Sequence, residues 1–348
     1  MNAIRLHRIL LDAVEHVPFY RQHWRAAGVD LTRIASAVHL EFLPVVRKAD
    51  LLACPAELRI DQRFLGRTLD AASVQPGELP ADHAALRRRR KRFVRALRDV
   101  GYSPGERLML IMEPPFPAGA ALMRWTCIDS RAPEADVFAK FVRTRPQVLY
   151  GPLSSLLRIA RRMLTTPEVR FRPRLVISTA EQLTDAQRAL LESAFSARVA
   201  DFYSIHDVGL IAYTRPGRAA YEVLERDFHV EFLPVGAGSP FERLVITDLE
   251  AGAVPLIRFD TGDLVRRDRE RPGAPIVEIR GREAQALEPA NGTWLSPEEV
   301  ALALERVDGE PRRACAGPEE AGADVARLPP RPARPLFGLL AGARLQPR

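Results

Sequence analysis

The stretch RFDTGDL, residues 258 to 264, sets Asp263 after a glycine turn directly behind the apolar run VPLI. A carboxylate there offers two acceptor oxygens on a short stem, suited to hydrogen-bond donors of a ligand or to the backbone of its own turn. A second acid, Asp207, lies in DFYSIHDVG, residues 201 to 209, beside His206 and shortly after Tyr203. Asp is a hard oxygen ligand of the kind Mg2+ prefers. A third stretch, STAEQ, opens at Ser178 behind the apolar RLVI and runs toward Thr184, which has Gln187 three residues on. That pair is a capping box, so a helix starts there. The turn Ser178 to Glu181 then falls at the carboxyl end of a strand, where open α/β sheets bind ligands. Finally, RRRRKR, Arg87 to Arg92, concentrates cationic charge. It reads either as a phosphate site or as a solvated helix surface, and the second is the simpler reading.

These residues need elements to position them. Leu86, Phe93, Val94 and Leu97 are spaced as one face of a helix carrying the arginine run. Ile4, Ile9, Leu10, Val14 and Val17 give helical periodicity near the start, so residues 1–60 are expected to form a small helical region. From about residue 105 strand and helix alternate: RLMLIM (107–112), QVLY (147–150), a helix from Leu153 to Leu164, RLVIS (174–178), a helix from Asp185 to Phe195, and RVADFY (198–203). That alternation predicts parallel α/β structure, with EFLPV, RLVITDL and PLIRF as strands of a more antiparallel region. After Asp308 the chain is rich in Pro, Ala, Gly and Arg without periodicity, and a largely disordered tail over 309–348 is expected.

The chain has 348 residues, 47% hydrophobic and 27% charged, an ordinary globular composition for one large domain and a smaller lobe or tail. Its apolar runs are too short to span a bilayer, and Arg5, Arg8, Asp12 and Glu15 interrupt any signal sequence, so a cytoplasmic protein without membrane contact is expected. Cys54, Cys127 and Cys315 form no CxxC pair, which argues against structural zinc and for small buried side chains. The net charge of +7 is carried almost wholly by arginine, Lys48, Lys91 and Lys140 being the lysines. With no RNA-binding aromatic signature or helix-turn-helix pattern, nucleic acid is disfavoured as a partner.

VPFYRQHWRAAGVDL, LEFLPVVRKADL, YGPLSSLLRIA, RLVISTAEQLTDAQRALLESAFSARVADFYSIHDVGLIAY, LVITDLEAGAVPLIRFDTGDL and EIRGREAQALEPANGTWLSPEEV follow one another between about residues 17 and 305. In that order they resemble the phenylacetate-CoA ligase-like branch of the adenylate-forming enzymes. The resemblance implies the large N-terminal domain of that superfamily, an α/β fold with parallel and mixed sheets flanked by helices. It implies an AMP-binding core over 61–280, and over 281–308 a remnant at the hinge to a C-terminal lobe that is missing or vestigial. Such enzymes make an acyl-adenylate from ATP and a carboxylic acid, then pass the acyl group to coenzyme A or another thiol. Residue by residue, it implies that Tyr203 stacks on adenine, that His206 and Asp207 serve catalysis, and that Asp207 holds Mg2+. Asp263 would accept the ribose hydroxyls, with Arg282 beside the ribose. Ser178, Thr179, Ala180 and Glu181 would line the nucleotide pocket, and Tyr150, Gly151 and Pro152 the acyl side.

Two segments depart from the pattern. LDAASVQPGELP, residues 69–80, stands where the family has a loop resembling TSGTTGxP, and its Pro76 removes a backbone donor from a loop that must cradle phosphates. No lysine follows Lys140, although the family's mobile lobe carries one that neutralises charge. Two functions therefore stand: an AMP-forming acid–thiol ligase, impaired or completed by another polypeptide such as a carrier protein or a separate ligase component, or a catalytically inactive binder of AMP, acyl-adenylate or a protein partner.

Overall fold

A computed structural model describes residues 2–34, 40–65, 79–114, 116–117, 120–236, 239–250, 252–273 and 275–282. The chain begins with α1 (Asn2–His16), α2 (Pro18–Ala26), the short α3 (Leu31–Ile34), α4 (Lys48–Ala53) and α5 (Ala56–Arg59), and then the long α6 (His83–Asp99). Pro18 opens α2, where its missing N–H has no intrahelical partner to lose. Asp82 caps α6 by accepting from the Ala85 N–H at 2.8 Å.

The alternating segment then gives β1 (Leu108–Met112), β2 (Trp125–Asp129), α7 (Glu134–Thr144), β3 (Val148–Pro152), α8 (Leu153–Leu164), β4 (Leu175–Thr179), α9 (Asp185–Phe195) and β5 (Arg198–Ile205). These five strands pair in parallel in the order β2-β1-β3-β4-β5. Both faces of this half are covered, which is why β1, β3 and β4 read as nearly unbroken apolar runs. Leu108 and Leu110 join a core with α1, α2 and α6, whereas Met109 and Ile111 point to the opposite face and join the core built on α7, α8 and α9. The helix after STAEQ starts as its capping box predicts: Thr184 Oγ1 accepts from the Gln187 N–H, and Gln187 Oε1 from the Thr184 N–H.

Beyond β5 the sheet becomes antiparallel, with β6 (Gly209–Thr214), β7 (Tyr221–Val223), β8 (Phe228–Pro234), β9 (Glu242–Asp248), β10 (Phe259–Arg267) and β11 (Ile276–Arg282). The described strands form one eleven-stranded sheet ending β5-β6-β7-β11-β10-β9-β8. Among the described residues no helix is long and apolar enough to cross a membrane. Cys54 and Cys127 are free thiols; Cys315 lies outside the described residues.

Two sequence expectations are corrected. PLIRF is not a strand: β10 starts only at Phe259 and contains the whole FDTGDL stretch. The preceding apolar run is an irregular buried segment whose polar backbone is satisfied by a side chain. The Tyr20 hydroxyl donates to the Pro255 carbonyl at 2.8 Å and accepts from the Ile257 N–H at 3.0 Å. Tyr20→Phe strands both groups in the core and is expected to cost about 1–3 kcal/mol in chemical denaturation; an unchanged midpoint would show that the segment finds other partners.

The arginine run is on a helix, as predicted, but it is not simply a solvated surface. Arg92 is buried and grips Asp248 through both terminal nitrogens, at 2.6 and 3.1 Å, with Asp227 and Glu250 near by. Its guanidinium also lies 4.4 Å over the Phe228 ring. Burial alone would weaken its proton affinity, but the three carboxylates outweigh that and hold it above the ordinary arginine value. Arg95 pairs with Asp227 and Arg88 with Glu250, so the run ties α6 to the antiparallel half. Arg87, Arg90, Lys91 and Arg98 stay exposed.

Candidate functional site

Strand register assembles the first part of the site. Along β3, β4 and β5, Gly151 pairs with Ser178 and Ser178 with Asp201; Pro152 pairs with Thr179 and Thr179 with Phe202. The predicted acyl-side residues, the predicted turn and Tyr203 therefore share the carboxyl ends of adjacent parallel strands. Gly151 fits because a Cβ there would stand 2.9 Å from the Cβ of Ile111. The Tyr150 ring meets Phe93 edge-on at 5.2 Å, and burial pushes its hydroxyl up to about 12 despite a hydrogen bond with Thr179.

The turn after β4 is fixed from within the protein. The buried Ser178 hydroxyl donates to Asp201, and the Tyr221 hydroxyl donates to the other Asp201 oxygen at 2.5 Å. Burial pushes the Asp201 carboxyl up, and these donors offset the push only in part. Thr179 Oγ1 donates to the Phe202 carbonyl at 2.9 Å. Ala180 has φ 71°, a left-handed conformation that costs a non-glycine residue energy and recurs at ligand sites. Glu181 then reaches back to the start of α8, accepting from the Ser154 N–H at 3.1 Å and the Ser154 hydroxyl at 2.7 Å. The side chains of Ser178 and Glu181 thus shape the turn from beneath and behind.

The second part comes from β10. Here the chain bulges between Asp260 and Leu264, with Gly262 at φ 74°, and Asp260 Oδ1 accepts from the Gly262 N–H at 2.9 Å. The bulge re-aims the next side chain, buried Asp263, whose Oδ2 accepts from the Tyr203 hydroxyl at 2.5 Å. Asp263 is also the register partner of Arg282 on β11. Tyr203, Asp263 and the backbone of Arg282 come from three strands: Tyr203 bonds Asp263, and Asp263 is the register partner of Arg282.

The third part surrounds Asp207, in the turn between β5 and β6. Asp207 is buried; Oδ1 accepts from the Leu79 N–H at 3.0 Å and Oδ2 pairs with the Lys48 ammonium at 2.6 Å. Arg89 of α6 donates to the backbone carbonyls of His206 and Asp207, and burial depresses the Arg89 pKa. His206 is exposed on this turn. The segment before Lys48 is stitched to β10: Val46 bridges Phe259, exchanging bonds with Arg258 and Asp260 at 2.9 Å, and Arg47 lies 4.0 Å from Asp260. The segment of Lys48 therefore links the Asp207 turn to the strand carrying Asp263.

Sequence reasoning missed Lys48, Asp201 and Arg89. Asp201 and Arg89 carry no local signal, since both act through partners distant in the chain. Lys48 had one: it is a lysine in a chain whose cationic positions are nearly all arginine.

A Mg2+ ion at Asp207 does not fit this arrangement. Magnesium is held through carboxylate, phosphate and water oxygens, whereas both Asp207 oxygens are engaged, one of them by a positive charge. Among the described residues no cluster of His, Cys, Asp and Glu could hold a metal. Residues 69–78 of the phosphate-loop stretch and everything from 283 onward, including the expected hinge remnant and tail, lie outside the described residues.

No protein-family model matches the chain. It is 30% identical to Protein CapK of Staphylococcus aureus over 135 residues, 38% of this chain and 29% of that relative, so it spans less than a third of the relative's length. Among solved structures it resembles a 2-hydroxyisobutyryl-CoA ligase in an open conformation with 2-HIB-AMP and CoA, at TM-score 0.65 and 20% identity over 88% of this chain and 74% of that one. The same ligase in its postadenylation state with 2-HIB-AMP gives TM-score 0.66 and 21% identity over 88% and 72%. At such identity the likeness is one of fold, and the fold is that of the large N-terminal domain of adenylate-forming enzymes, an α/β sheet flanked by helices.

Proposed function

We propose that the protein recognises the adenylate of a carboxylic acid and is an AMP-forming acid–thiol ligase of the phenylacetate-CoA ligase-like type. The observation that carries this reading is the hydrogen bond between Tyr203 and Asp263, beside Arg282 in the ladder, at the carboxyl ends of the parallel strands. A tyrosine ring beside a buried carboxylate supplies what adenosine requires: a flat apolar face for the base and paired acceptors for the ribose diol. In this reading Tyr203 stacks on adenine, Asp263 accepts the two ribose hydroxyls, and Thr179 and Ala180 border the base. Tyr150, Gly151 and Pro152 border the acyl group, with the AMP-binding core over 61–280. The carboxylate oxygen attacks the α-phosphorus of ATP and the bond to the β-phosphate breaks, releasing pyrophosphate. A thiol, that of coenzyme A or a carrier protein, then takes the acyl group and AMP leaves. In this reading His206, exposed on the turn that carries Asp207, touches that phosphate.

A second reading, a binder of adenylate without turnover, is favoured by the Lys48 ammonium on the carboxylate assigned to the metal. ATP–pyrophosphate exchange across aryl and fatty acids separates the two. Exchange with at least one acid, alone or with an added carrier or ligase component, is the expected result. AMP binding with no exchange selects the second reading, and the absence of both binding and exchange overturns both.

A further inference from the structure

Lys48 is fixed at one end and free at the other. Its ammonium carries three donors, and one is committed to Asp207 at 2.6 Å. About a third of the side chain is exposed (34%), leaving donors that can reach a ligand, while Asp207 beneath it is buried at 7%. The anchoring is reinforced from both sides. Leu79 holds the other Asp207 oxygen, Arg89 holds the carbonyls of the turn, and the Val46 bridge fixes the backbone leading into Lys48. Arg47, Arg89 and Arg243 add further positive charge around Asp207 and Asp260, with Arg243 3.6 Å from Asp260. Lys48 and Arg89 both lie against the Asp207 turn, so its one buried carboxylate faces two cations, which favours an anion over a divalent cation there.

We infer that Lys48, held by Asp207, is a built-in receptor for the phosphate of the nucleotide and makes binding of AMP or an acyl-adenylate independent of divalent metal. The inference rests on the adenylate reading above and specifies how that site handles charge. In this reading the phosphate of a nucleotide whose ribose lies on Asp263 meets Lys48, which links the β10 strand to the Asp207 turn. There it takes a charge-assisted hydrogen bond from an ammonium already oriented by its carboxylate, so little side-chain freedom is lost on binding. The pair does at this position what a carboxylate-bound metal does elsewhere, with a cation that belongs to the chain.

The test is calorimetric titration of the full chain with AMP and with adenosine, each in EDTA and in excess Mg2+. The wild-type protein should bind AMP with the same affinity in both media. Lys48→Met should weaken AMP by about 10- to 100-fold, the range for one hydrogen bond to a charged group, and leave adenosine affinity unchanged. Because Lys48→Met leaves a buried carboxylate without its cation, the double variant Lys48→Met/Asp207→Asn is measured alongside it. It removes the pair as a unit and should show the same selective loss of AMP. AMP binding that requires Mg2+, or AMP affinity unchanged in both variants, overturns the inference; intact adenosine binding in those experiments would leave the adenylate reading standing. Failure of the wild-type protein to bind either compound overturns the inference together with the adenylate reading.

Discussion

Replacing Arg92 by methionine lowers stability by about 3–5 kcal/mol, the cost of leaving buried charge without its partner. Arg92 is 2% exposed and supplies the bidentate contact of Asp248, while Asp227, itself 4% exposed, lies 3.6 Å from its Nε. Methionine fills much of the same volume, so the loss would report charge rather than a cavity. Arg92→Lys should recover only part of it, since an ammonium cannot reproduce the two-pronged contact. Combining Arg92→Met with Asp248→Leu should restore much of the stability, because removing a buried pair together is far less costly than removing one partner. Midpoints in urea give these differences, and a cost below about 1 kcal/mol, the value of an exposed pair, would show that the site is solvated.

Removing the Asp263 carboxylate has the largest effect expected on ligand binding. Asp263→Ala should weaken AMP by about 100-fold or more, the combined effect of two hydrogen bonds from the ribose diol to a charged acceptor at about tenfold or more each. A 2′,3′-dideoxy analogue of AMP should bind the wild-type protein about as weakly, and Asp263→Ala should weaken that analogue little further, since the interaction is already gone. Equal losses for both nucleotides would mean that Asp263 acts by holding Tyr203 in place. The two side chains are directly bonded, so the analogue is needed to tell the roles apart.

What the sequence disclosed depended on how local the determinant was. The helix over Asp185–Phe195 was legible to the residue because Thr184 and Gln187 settle its start between themselves. Four of the five described parallel strands were legible because burial leaves apolar runs in them, whereas β2, WTCID, is mostly half-buried and gave no such run. VPLI looked like another such run, yet the Pro255 carbonyl and the Ile257 N–H bond the Tyr20 hydroxyl, more than two hundred positions earlier, and the strand begins later. The arginine run showed a helix but not its partners, since Asp227, Asp248 and Glu250 arrive from the far half of the chain.

The same distinction holds at the site. Tyr203, Asp263 and Arg282 stood out only through the motifs that carry them; register sets Asp263 beside Arg282, and a side-chain hydrogen bond joins Tyr203 to Asp263. Ser178 and Glu181 were readable as members of the turn, but not the direction of their side chains, which depends on Asp201 and on the start of α8. Asp207 was readable as an acid suited to a metal. Its actual partner, Lys48, comes from a short helix that follows the Val46 bridge to β10 and is anchored in the core by Leu51.

The central claim is that Tyr203, Asp263 and the Lys48–Asp207 pair face a single cleft shaped for an adenosine monophosphate. A crystal structure of the protein grown with AMP tests it most directly. The account predicts adenine against the Tyr203 ring, the ribose diol on Asp263 and the phosphate on Lys48. A nucleotide bound away from these groups, or crystals that remain free of AMP at saturating concentration, would contradict it.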